Sequence, residues 1–149
     1  AICFEKDKIS LDILIKNFKI NNILNKMKYF SQANFNDVFK LLDKKELKKT
    51  LFLIDIEGDE YNLIENNIIP KIKNSCLIIE NHEFAIKNKK RVKVVKNLLK
   101  KNFKVKLIEM EYPILENYIN KINLNIDELN ISLFEKRKKM NWIICEPNN

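Results

Sequence analysis

The chain has 149 residues, 46% apolar and 32% charged, a globular composition whose length suits one domain with a core that needs no disulfide or structural metal. Its longest apolar runs are about five residues, far short of the roughly 18 needed to cross a bilayer, so no membrane span is expected. The formal charge of +8 admits a polyanionic partner, but it is nearly all lysine, with Arg91 and Arg137 alone offering the guanidinium fork of phosphate recognition, so nucleic acid is the disfavoured partner.

No basic leader with an apolar stretch and a small-residue cleavage site opens the sequence, and the expected compartment is the cytoplasm. Cys3, Cys76 and Cys145 sit in apolar contexts without Cys-x-x-Cys spacing and read as buried, reduced thiols. Short apolar runs alternate with segments of helical spacing, the signature of β-α units feeding a largely parallel sheet. AICFE is the first strand. SLDILIKNFKINN follows as a helix with Ser10 as N-cap and Leu11, Leu14, Ile15 and Phe18 on its inner face. MKYF is a short strand, and NDVFKLLDKKELKK reads as one amphipathic helix with Val38, Phe39 and Leu42 inward. LFLIDI is the clearest strand. EYNLIENNI reads as a helix stopped near Pro70, CLIIE as a strand, KKRVKVVKNLLKKN as a helix with Val92, Val95, Leu98 and Leu99 on one face, and FKVKLIEM as a strand. Weaker helical segments around Tyr118 and Leu129 precede a closing strand, MNWIICEP. The alternation predicts one doubly wound α/β domain over residues 1–149. Because the sequence opens without methionine inside a strand pattern, Ala1 is expected to continue a longer natural chain.

In open parallel sheets, ligands bind beyond the carboxyl ends of the strands. That rule selects Glu5, the stretch from Asp55 to Glu60, and Glu80, His82 and Glu83 in LIIENHEF. A carboxylate ending a strand, as Glu5 does, can accept both ribose hydroxyls of a nucleoside cofactor, or it can cap the next helix. Gly58 is the only glycine, so these residues contain no P-loop or GxGxxG turn, and any such loop would lie upstream of Ala1. Asp55, Glu57, Asp59 and Glu60 crowd four carboxylates into six residues around that glycine, where they repel one another. A helix N-terminus accounts for Asp59 and Glu60 through its dipole, but not for an aspartate inside an apolar run. His82, the only histidine, follows the strand after LFLIDI and should therefore neighbour Asp55. Asp55, Glu80 and His82 can then converge as a proton acceptor with orienting partners, and Glu57 can reach the same place. They can instead hold a divalent cation, for which the spacing is not diagnostic.

DIEGDEY, preceded by an apolar strand and followed by LIE, resembles the Asp-x-Glu-Gly-x-Glu motif of FkbM-type S-adenosylmethionine-dependent methyltransferases. FEKDKISLDILIKNFKINN is similar to that family's segment after the cofactor loop, matching at Phe4, Glu5, Leu14, Asn17, Asn21 and Asn22, with Lys6 in place of the usual proline. LIIENHEF resembles the family's next strand, and Glu135, Arg137, Met140 and Trp142, leading into Glu146 and Pro147, resemble a closing strand. The resemblance implies a three-layer Rossmann-like methyltransferase fold with a mostly parallel sheet, N-terminally truncated. On that reading the first strand and glycine-rich loop are missing, and the stretch given is expected to be inactive alone. S-adenosylmethionine is the implied cofactor, with Glu5 on its ribose, Asn34 near the adenine and Asp55 near the sulfonium. The implied activity is O-methylation of a sugar or other small hydroxyl-bearing metabolite, with Asp55, Glu57, Glu80 and His82 as the catalytic set. Two other readings stand beside it: a non-catalytic basic α/β module that binds RNA or an acidic partner, and a nucleotide-sugar enzyme with a divalent metal at Asp55 and Glu57.

Overall fold

A computed structural model of the chain describes residues 1–65, 67–109 and 141–148. It contains two compact units, Ala1–Leu41 and Leu42–Asn149.

In the first unit, β1 (Ile2–Phe4) pairs in parallel with β2 (Lys28–Phe30), and the Phe4 and Phe30 rings stack with centroids 5.3 Å apart. Parallel strands need a crossover, which α1 (Lys8–Ile20) supplies. Asp7, not Ser10, caps this helix: its carboxylate accepts the Ser10 amide at 2.7 Å, and that bond holds the Asp7 carboxyl below its usual range. The far end closes on Asn22, whose backbone is left-handed at φ 54°, with its amide donating to Lys19 and that of Ile23 donating to Phe18. This is a Schellman termination, and it explains why an Asn pair follows the helix. The helix expected over 36–49 is two, α2 (Phe35–Leu41) and, at the start of the second unit, α3 (Lys44–Leu47). Asp43 interrupts it by building a capping box with Glu46, each side chain satisfying the other's backbone amide.

The second unit is built on a four-stranded sheet of β3 (Leu51–Ile54), β4 (Cys76–Glu80), β5 (Phe103–Glu109) and β6 (Asn141–Pro147), in the order β3-β4-β6-β5. Two short helices, α4 (Glu60–Leu63) and α5 (Ile69–Ile72), link β3 to β4. Pro70 lies in the first turn of α5 and opens that helix, where its missing amide costs nothing, and does not stop an earlier one. The long helix α6 (Lys89–Asn102) is capped by Asn88 and buries Val92, Val95 and Leu99, each contributing about 1.5–3 kcal/mol of transfer free energy. Leu77, Ile79, Ile143 and Cys145 from the sheet complete the core with Tyr61, Ile64 and Ile72. Arg91 reaches back from α6 to donate to the Tyr61 and Ile64 carbonyls at 2.8 and 3.2 Å, satisfying acceptors that the end of α4 leaves open.

This sheet overturns the expected mostly parallel, Rossmann-like arrangement. Only β3 and β4 run parallel in it; β6 lies antiparallel to β4, with Ile79 opposite Ile143, and antiparallel to β5, with Leu107 opposite Ile143. The other sheet has just the two parallel strands. The physical reason is that a pattern of apolar residues alternating along a strand reads the same in either direction, so it marks a strand without fixing the sense of its pairing. Burial also differs from expectation among the free cysteines: Cys145 is buried, Cys3 half-buried and Cys76 exposed. Among the described residues no helix is long and apolar enough to cross a membrane. The helical segments expected around Tyr118 and Leu129, and the family-like Glu135, Arg137 and Met140, lie outside the described residues.

Candidate functional site

Beyond Ile54 the chain leaves the sheet and reverses. Glu57 and Gly58 both take positive φ, 54° and 107°, a pair that L side chains rarely adopt and that glycine tolerates. A methyl group on Gly58 would meet nothing closer than 3.7 Å, so its backbone angle, not crowding, requires the glycine. The reversal is braced from within. Glu60, the first residue of α4 and fully buried, accepts the Ile56 amide at 3.2 Å and the Gly58 amide at 3.1 Å on one carboxylate oxygen.

The same Glu60 oxygen lies 2.7 Å from Nδ1 of His82. A carboxylate oxygen accepts, so Nδ1 donates this bond, and Nε2 is the ring's other polar atom. His82 is only 3% exposed, and its Nε2 has no hydrogen-bond partner among the described residues. Around Nε2 stand Glu57 Oε2 at 3.4 Å and Glu80 Oε2 at 3.9 Å. The second Glu60 oxygen is also buried without a hydrogen-bond partner among the described residues. Asn81 fixes the backbone between Glu80 and His82: its side-chain oxygen accepts from the Tyr61 hydroxyl at 2.5 Å and the Glu83 amide at 3.3 Å, and its amide donates to Asn141 at 2.8 Å.

Register explains how Asp55 joins. The parallel ladder pairs Ile54 with Ile79, so the next residues on each strand, Asp55 and Glu80, emerge side by side and share a hydrogen bond. Burial, that bond and the negative charges of Asp55 and Glu57 push the Glu80 carboxyl up to about 7, with His82 opposing the shift. Burial and the neighbouring Glu83 and Glu60 also raise the Tyr61 hydroxyl above its usual range. Asp55, Glu57 and His82 each offer a ligand atom, all within 4.8 Å of one another.

The structure thus gathers Asp55, Glu57, Glu80 and His82, which sequence reasoning singled out, and adds Glu60, which it assigned to the helix dipole. The motif likeness places Glu60, not Asp59, on a defined position, but only the contact with a histidine 22 residues away shows what Glu60 touches. Glu5 and Asn34 belong to the first unit and serve its backbone there. Glu5 accepts the Asp7 amide at 2.7 Å and Asn34 accepts the Asn36 amide at 2.8 Å, each at the approach to a helix. Glu83 turns to α6, paired with Lys96 through its carboxylate and accepting from Lys89 at its carbonyl.

Comparison of the chain with protein-family models, with curated proteins and with solved structures gives no match in any of the three.

Proposed function

We propose that this protein acts in S-adenosylmethionine-dependent O-methyl transfer to a small hydroxyl-bearing metabolite, with the His82 cluster as the place where the hydroxyl loses its proton. The observation that carries the reading is the meeting of DIEGDEY and LIIENHEF, the two segments most like the methyltransferase motifs, around one buried imidazole nitrogen. The reading rests on these side chains and not on a Rossmann-like sheet.

Methyl transfer is an in-line displacement. The acceptor oxygen forms a bond to the methyl carbon while the carbon–sulfur bond breaks, its electron pair returning to sulfur and leaving a neutral thioether. The hydroxyl proton passes to His82 Nε2. Glu60 holds the ring through Nδ1 and stabilises the imidazolium that forms, the division of labour of an acid–base dyad. The carboxylates of Asp55 and Glu57 give this corner a negative charge that favours the cationic sulfonium.

The test is calorimetric titration of the full natural chain with S-adenosylmethionine, followed by transfer of labelled methyl groups to sugars and other small alcohols. Binding is expected, with transfer reduced by roughly 10²–10⁴ in His82→Asn. Absence of S-adenosylmethionine binding overturns the reading.

A further inference from the structure

We infer that Asp55, Glu57 and Nε2 of His82 form a binding site for one divalent transition-metal cation. The inference stands on the geometry of the cluster and holds whether or not the protein binds a methyl donor. Acidic residues crowded at a chain reversal are commonplace, and the carboxylates alone would carry nothing. What they surround is decisive: a nitrogen on a 3% exposed side chain, without a hydrogen-bond partner among the described residues, between Glu57 and Glu80.

A buried imidazole nitrogen left unpaired forfeits the hydrogen bond it had in water, and a cation restores a partner. Glu60 completes the pattern of a metal-binding histidine, since such a ring donates its other N–H to a carboxylate that fixes its orientation and raises its basicity. Two ligands on one ion, at bond lengths of roughly 2.0–2.2 Å, lie about 3–4.4 Å apart. The 3.4 Å between His82 Nε2 and Glu57 falls within that range, and the 4.8 Å outer limit of the set needs only small rotations of Asp55 and Glu57, both solvent-exposed. The ion also offsets the repulsion between Asp55 and Glu57.

The donor set selects the class of ion. One imidazole with two carboxylates and no thiolate suits manganese or zinc; calcium and magnesium prefer oxygen alone, and copper(I) prefers sulfur. Nε2 cannot hold a proton and a cation together. The ion and a proton would therefore compete for this nitrogen, and proton transfer to Nε2 would belong to the ion-free protein.

The experiment uses the ions alone, with no methyl donor or acceptor, so that its result is independent of the proposed activity. The protein is titrated calorimetrically with manganese chloride and with zinc chloride near neutral pH, and bound manganese is followed by electron paramagnetic resonance. One site per chain is expected for at least one of the two ions. Asp55→Asn and Glu57→Gln, surface changes that leave the core intact, should each weaken it at least about tenfold, and Glu60→Gln by roughly 10–100-fold. Asp37→Asn, which removes an unrelated surface carboxylate, should leave it unchanged. No saturable binding of either ion, or a site whose affinity ignores both Asp55→Asn and Glu57→Gln, overturns the inference.

Discussion

Glu80 shows how far one residue's chemistry depends on what surrounds it. In the sequence it is an acidic residue ending a strand; in the fold it is 8% exposed, bonded to Asp55 and faced by Glu57, and its carboxyl sits near 7 instead of the ordinary 4.5. The folded protein therefore holds a proton here that the unfolded chain releases. Folding draws its full benefit from this group below about 4.5 and loses it progressively as the pH rises through about 7. Denaturant unfolding measured between pH 4.5 and 8 should show wild-type stability falling relative to Glu80→Gln, whose amide needs no proton; parallel curves for the two proteins refute the argument. His82 was visible in the sequence as a candidate because it is the sole histidine after a strand. Its hydrogen-bond partner was not, because Glu60 lies 22 residues away.

The elements follow local chemistry more closely than the pairing of strands does. Helix α6 occupies the residues its apolar spacing marks, Lys89–Asn102, because Asn88 caps it and its buried stripe runs unbroken. The helix expected over 36–49 fails at Asp43 for an equally local reason: a side chain that accepts the amides of Lys45 and Glu46 competes with continuation of the helix. The Asp-x-x-Glu spacing of Asp43 and Glu46 is a legible capping signal once the lysine-rich pattern is set aside. Asp43→Ala should cost about 1 kcal/mol, measured as a lower denaturation midpoint, with the Lys45 and Glu46 amides exchanging faster. Unchanged exchange there would mean that α3 is held by Leu47 burial alone. Part of the basic face of α6 is engaged within the fold, since Lys89 and Lys96 meet Glu83 and Arg91 meets the Tyr61 and Ile64 carbonyls.

At the scale of the molecule, β6 organises the second sheet. It enters between β4 and β5 and turns Ile143 and Cys145 into the core. Cys145 has no exposed surface, and burial pushes its thiol up to about 12, so it stays protonated and unreactive. Cys76 opens β4 on the opposite side of the alternation from Leu77 and is exposed. A thiol reagent at mildly alkaline pH should label Cys76 rapidly and Cys145 only on unfolding. Equal rates at the two positions would contradict a sheet centred on β6. Their sequence contexts, NSCLII and IICEP, are too alike to make this distinction.

The sequence alone determined where the strands and α6 lie, because apolar period and capping act within a few residues. It also brought together Asp55, Glu80 and His82, because consecutive strands that pair in parallel deliver the residues after them to the same edge. Only the tertiary structure decided that β6 runs antiparallel between β4 and β5, since apolar alternation carries no direction. It alone decided that Glu60 is buried against His82 while Asp59 remains in solvent, because the difference lies in a contact between segments that the chain itself keeps far apart.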